Sequence, residues 1–100
     1  MDENEKPSDI LNRNREIIRH IAMLHHTRNP RVFGSVQRGA DTGDSDLDLL
    51  VDPLPGTTLF DLGAIQIELE EALGISVDVL TPGDLPEKFR DQVLQEAVPV

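Results

Sequence analysis

The chain has 100 residues, no cysteine and a formal net charge of −10. That length supports one small domain with a single core, and the lack of cysteine excludes disulfides and zinc–thiolate sites. The acidity argues against binding a nucleic acid polymer, which needs a basic footprint. No apolar run approaches the roughly 18 residues of a membrane span, and the polar opening lacks a signal peptide's apolar segment, so a cytoplasmic location is expected.

The charge is unevenly placed. Residues 1–38 hold seven basic and five acidic side chains, whereas residues 39–100 hold two basic and fourteen acidic. Such an acidic portion keeps the protein soluble and also suits a basic partner protein.

In chain order, residues 1–7 are polar and expected to fray. A helix is predicted over 9–25, with Ser8 as N-cap and Asp9 near its positive end. Ile10, Leu11, Ile17, Ile18, Ile21 and Leu24 follow the three-and-four spacing of a core-facing stripe, and Pro30 cannot continue the helix. His25 and His26, being adjacent, do not share a helix face and read as helix-end groups rather than metal ligands. Arg31–Phe33 reads as a short strand, Ser35–Arg38 as one or two helical turns, and Gly39–Ser45 as a polar loop.

A second strand is predicted over 46–52, broken by Pro53, Pro55 and Gly56. Thr58 with Asp61 three residues on has the form of a capping box opening a helix over 59–73. Its stripe is Leu62, Ile65, Leu69 and Leu73, and Gly74 ends it. A third strand over 75–80 is followed by a closing helix over 87–97, with Phe89, Val93 and Leu94 as packing positions. The pattern as a whole is α/β (α+β): one domain spanning residues 1–100, with a small mixed sheet backed by helices.

The chemistry is concentrated between Arg31 and Asp52. In a strand, side chains alternate faces, so Asp46 and Asp48 point one way while Leu47, Leu49 and Val51 point the other. Two carboxylates about 4 Å apart repel by roughly 4 kcal/mol at an effective dielectric near 20, a cost that a divalent cation turns into a binding site. Oxygen ligands without Cys or His suit Mg²⁺ or Mn²⁺, and Mg²⁺ typically arrives with a phosphorylated substrate. Upstream, Gly34 and Ser35 open a short helical turn whose backbone N–H groups can take phosphate oxygens.

Two rival motifs overlap this loop. Asp41-Thr42-Gly43 is the aspartic protease tripeptide, but it lies in a polar loop of a chain with helical periodicity, where such a protease should be almost all strand. Asp44, Asp46 and Asp48 have the spacing that opens an EF-hand loop, yet its sixth and twelfth positions, which need Gly and Glu, are Leu49 and Pro55. Neither reading holds.

Gly34 and Ser35, then ten residues, then Asp46 and Asp48 reproduce the Gly-Ser and Asp-x-Asp signature of the polymerase-beta nucleotidyltransferase superfamily, which this chain resembles. The resemblance implies a third carboxylate on a later strand, and Asp78 sits where it is expected. It is also a lone Asp in an apolar strand, where an unpaired buried charge would be destabilising.

The compact pattern is similar to the minimal nucleotidyltransferases, antitoxins of HEPN-domain ribonucleases. That resemblance implies a Mg²⁺-dependent transfer of AMP from ATP to a tyrosine hydroxyl of the toxin. Asp46, Asp48 and Asp78 would hold the metal, Gly34, Ser35, Arg38 and Ser45 would bind the nucleoside triphosphate, and Gly34, Ser35 and the three aspartates would form the catalytic set. Only 22 residues follow Asp78, so the acceptor is expected to be a protein that brings its own hydroxyl. A binding-only antitoxin and a small-molecule O-nucleotidyltransferase are the alternatives.

Overall fold

The computed structural model describes residues 5–100. Strands β1 (Thr27–Phe33), β2 (Leu47–Pro53), β3 (Val77–Leu80) and β4 (Val98–Pro99) form one mixed sheet in the order β3-β2-β1-β4. β1 runs antiparallel to both β2 and β4, while β2 and β3 are parallel. A parallel pair cannot be joined by a tight turn, and the crossover is made by helix α4 (Leu59–Leu73).

The residues that make these elements are largely those the sequence marks. In α4, Asp61 Oδ2 accepts the Thr58 N–H at 2.9 Å, and Gly74 ends the helix in the left-handed region, at φ 73°. Ile65 and Leu69 are fully buried, with Leu62 and Leu73 packed beside them. They share a core with Ile18, Leu47, Leu49, Val51, Val77 and Val79. Full burial of each such side chain contributes about 1.5–3 kcal/mol. Since Leu47, Leu49, Val77 and Val79 face this core, alternation turns Asp48 and Asp78 to the other face of the sheet.

Four expectations are corrected. The single helix over 9–25 is two helices, α1 (Pro7–Arg13) and α2 (Arg15–Leu24), meeting at Asn14. The Asn14 side-chain amide donates to the Ile10 carbonyl at 2.8 Å, and a side chain competing for backbone in this way interrupts a helix. Nor is Ser8 the N-cap: α1 starts at Pro7, a buried residue at its first position, with Lys6 as cap. Pro7 therefore lies within an ordered helix, although the expected fraying of residues 1–4 falls outside the described residues.

β1 starts at Thr27 rather than Arg31 and accommodates Pro30, because its pairing with β2 is irregular between Arg28 and Arg31 and Asn29 adopts φ 54°. A bulge is where a strand tolerates a proline. Finally, in the closing helix α5 (Glu87–Glu96) Phe89 does not pack, being 51% exposed, whereas Val93 and Leu94 are half-buried. The residues beyond α5 are held instead: Val98 pairs with Val32 in β4, and the Val100 N–H donates to the Pro30 carbonyl at 3.0 Å.

His25 and His26 end α2 as expected and tie it to α4. His25 contacts Glu68, and His26 Nδ1 lies 3.2 Å from Asp61 Oδ1. No helix is long and apolar enough to cross a membrane among the described residues.

Candidate active site

β1 ends at Phe33, and the chain turns at once into a short helix, α3 (Gly34–Gln37). The turn requires φ 75° at Gly34, a conformation that L side chains rarely adopt. Space imposes the same choice, since a Cβ at Gly34 would overlap the Asp48 carboxylate. Backbone and carboxylate therefore approach more closely here than any side chain allows. Ser35 follows, half-buried, and its carbonyl accepts the Ala40 N–H at 2.9 Å, which closes the turn.

Asp48 and Asp78 are direct register partners in the parallel β2–β3 pair. Adjacent strands lie about 4.8 Å apart, and register partners share a face, so the two carboxylates stand side by side. Asp46 lies just before β2 rather than within it, and is exposed, as is Asp78. Asp78 is thus not the buried charge expected from its apolar strand; its place beside Asp48 is what sets it apart. Partial burial, followed by the charge of Asp78 and a hydrogen bond with it and then by the charge of Asp46, pushes the Asp48 carboxyl up to about 6, while the Arg38 guanidinium works against the rise. Arg38 caps α3 and is exposed.

Ser45 is engaged within its own loop. Its hydroxyl oxygen accepts the Thr42 N–H at 2.8 Å, and its N–H donates to the Thr42 carbonyl at 3.0 Å. Asp41, which sequence reasoning noticed only in the protease tripeptide, is 5% exposed and accepts the Ser8 N–H at 2.8 Å. It anchors the loop leading to Asp46 onto the start of α1. No signal in the sequence distinguishes it from the exposed loop acids, because its partner is a backbone group 33 residues away. Asp52 lies on the same face as Asp48 but is spent on Arg31 and on Asn29, whose Nδ2 is 3.1 Å from it.

Among the described residues, no three His, Cys, Asp or Glu side chains are gathered so as to enclose a metal unaided. The donor chemistry nonetheless fits a hard divalent cation. Asp48, Asp78 and Asp46 offer oxygen atoms alone, and the repulsion among them, which adds to the effect of burial on Asp48, is what a cation relieves. Mg²⁺ commonly leaves several coordination positions to water and substrate phosphates.

Residues 11–100 match the family model described as a nucleotidyltransferase domain. A solved structure of a minimal nucleotidyltransferase superposes with a TM-score of 0.84 at 41% identity, covering 93% of this chain and 95% of that one. The chain belongs to the minimal nucleotidyltransferase family.

Other relatives agree. A Methanocaldococcus jannaschii protein that carries the name protein adenylyltransferase is 40% identical over 80 residues, 80% of this chain and 86% of that protein. The protein adenylyltransferase MntA of Thermococcus cleftensis is 38% identical over 67 residues, 67% of this chain and 68% of that one. A solved toxin–antitoxin structure with AMP-PNP superposes with a TM-score of 0.68 at 16% identity, covering 93% of this chain and 71% of that one, a likeness of fold alone. In this minimal nucleotidyltransferase, the glycine–serine turn lies against Asp48, the register partner of Asp78.

Proposed function

We propose that this minimal nucleotidyltransferase is an antitoxin that transfers AMP from ATP to a tyrosine hydroxyl of a HEPN-domain ribonuclease toxin and so silences it. The observation that carries the reading is the registered pair Asp48 and Asp78, with the Gly34 backbone against Asp48. The names borne by the relatives, protein adenylyltransferase and MntA, support AMP transfer to a protein. The strongly acidic portion after residue 38 suits a basic ribonuclease.

In this reading the Gly34–Ser35 turn and Arg38 hold the β- and γ-phosphates of ATP. Asp48, Asp78 and Asp46 hold Mg²⁺, or Mn²⁺ in its place, which when bound neutralises charge on the triphosphate and on the leaving pyrophosphate. Asp78, exposed at the sheet edge, receives the proton of the acceptor hydroxyl. The hydroxyl oxygen forms a bond to the α-phosphorus as the bond from that phosphorus to the pyrophosphate oxygen breaks. A phenol serves well as acceptor because it ionises more readily than an aliphatic alcohol.

The test is the mass of the toxin after incubation with the protein, ATP and Mg²⁺. Each transfer adds one AMP, and the gain disappears with Ser35→Ala combined with Asp48→Ala. A toxin that is neutralised without any mass gain overturns the enzymatic reading in favour of antitoxin action by occlusion.

A further inference from the structure

Asp48 lies in β2 and Asp78 in β3, but Asp46 lies in neither strand. Its place is therefore set by what fixes its two neighbours along the chain. On one side, the Leu47 N–H donates to the Ser76 carbonyl at 3.0 Å, where the pairing of β2 with β3 begins. On the other side, the chain closes on itself. The Ser45 N–H donates to the Thr42 carbonyl at 3.0 Å, the Ser45 hydroxyl oxygen accepts the Thr42 N–H at 2.8 Å, and the Asp44 N–H donates to Thr42 Oγ1 at 3.3 Å.

This closed turn is itself fastened to two helices. The Ala40 N–H donates to the Ser35 carbonyl of α3 at 2.9 Å, and the buried Asp41 carboxylate accepts the Ser8 N–H of α1 at 2.8 Å. We infer that Ser45 is a positioning residue for Asp46: its hydroxyl closes the turn that holds Asp46 near Asp48, and it acts on the cation through Asp46 rather than by touching the nucleotide. The inference rests on the reading that Asp46, Asp48 and Asp78 hold Mg²⁺.

The need for such a device follows from charge. Asp46 is exposed, and its charge reaches Asp48, so without a cation the two carboxylates push each other apart. Asp48 is held by its strand and cannot yield, whereas a loose loop would let Asp46 swing away. The arriving cation would then have to order that loop, at an entropic cost. A turn already closed by Ser45 and anchored on α1 and α3 leaves little to order, so the carboxylates stand together beforehand. A serine hydroxyl suits the task because it is short enough to bond a backbone N–H of its own turn.

The experiment measures the affinity of the full chain for a non-hydrolysable ATP analogue by calorimetry, once with Mg²⁺ and once with a chelator. The ratio of the two affinities is the gain due to metal. Ser45→Ala reduces that gain by about fivefold or more, the factor that ordering one residue's backbone represents, and leaves the metal-free affinity unchanged. Added to Asp46→Asn, the same substitution has no further effect, because the residue through which it acts no longer holds the cation. A drop in metal-free affinity shows Ser45 touching the nucleotide and overturns the positioning role. A loss equally large on the Asp46→Asn background also overturns it, since Ser45 then acts independently of Asp46. A gain that Ser45→Ala leaves intact overturns the positioning while upholding the metal reading. No gain in the unchanged protein overturns both.

Discussion

Gly34 and Asp48 are in closer contact than any residue with a side chain at position 34 permits, since a Cβ there would overlap the Asp48 carboxylate. Gly34→Ala must therefore displace Asp48 or reopen the turn. It also places alanine at φ 75°, which costs about 1–2 kcal/mol. Nucleotidyl transfer should fall by about a hundredfold or more, while urea unfolding shows a loss of about 1–2 kcal/mol. Activity near that of the unchanged protein would show that the close approach has no catalytic role.

Asp48 makes the metal-free protein sensitive to pH in a defined direction. Its carboxyl is raised from the usual 3.8 to about 6 in the folded chain, so the folded state binds the proton more tightly than the unfolded state does. Stability from this group is fully present below about pH 4 and is lost as pH rises through about 6. Asp48→Asn removes that loss and should stabilise the metal-free protein at pH 7.5 by about 1 kcal/mol, after discounting for solvent screening of a half-buried group. The gain should vanish near pH 4. Urea titrations at both pH values, in the presence of a chelator, check it.

The metal reading predicts that a chelator weakens ATP binding by about tenfold or more, or about 1.4 kcal/mol. In an Asp48→Asn, Asp78→Asn double variant, ATP affinity should respond little to Mg²⁺, because the charge that holds the cation is gone. Calorimetry in which the unchanged protein binds ATP equally with and without Mg²⁺ would contradict the assignment of these residues as ligands.

Asp41 predicts a separable effect on stability. Asp41→Ala leaves the Ser8 N–H without its acceptor at the start of α1 and should cost about 1–2 kcal/mol, in the range of lost helix-end partners. Asp41→Asn keeps an oxygen acceptor and should recover most of the loss. Equal unfolding midpoints for the two variants would show that the contact contributes nothing.

Much of the fold was legible because local rules and tertiary context agree. The capping pair Thr58 and Asp61, the apolar spacing of Ile65 and Leu69, and the glycine at 74 each favour the same helix, and α4 has the predicted bounds. Asn14 misled because the apolar stripe continues past it, although its own chemistry favours ending a helix. β4 could not be found at all: two residues carry no periodicity, and Val98–Pro99 is a strand only because β1 presents an edge to it.

Residue order alone determined the spacing of Gly34, Ser35, Asp46 and Asp48, and the alternation that sends Asp48 and Leu49 to opposite faces, because these depend on neighbours along the chain. Only the tertiary structure decided that Asp78 is the register partner of Asp48, that the Asp48 carboxyl is pushed up to about 6, and that Asp41 is a buried anchor rather than one more loop acid. Each of these depends on which distant strand or helix lies alongside. The crossover through α4 settles that by closing its core, burying Ile65 and Leu69 against the valines that flank Asp78.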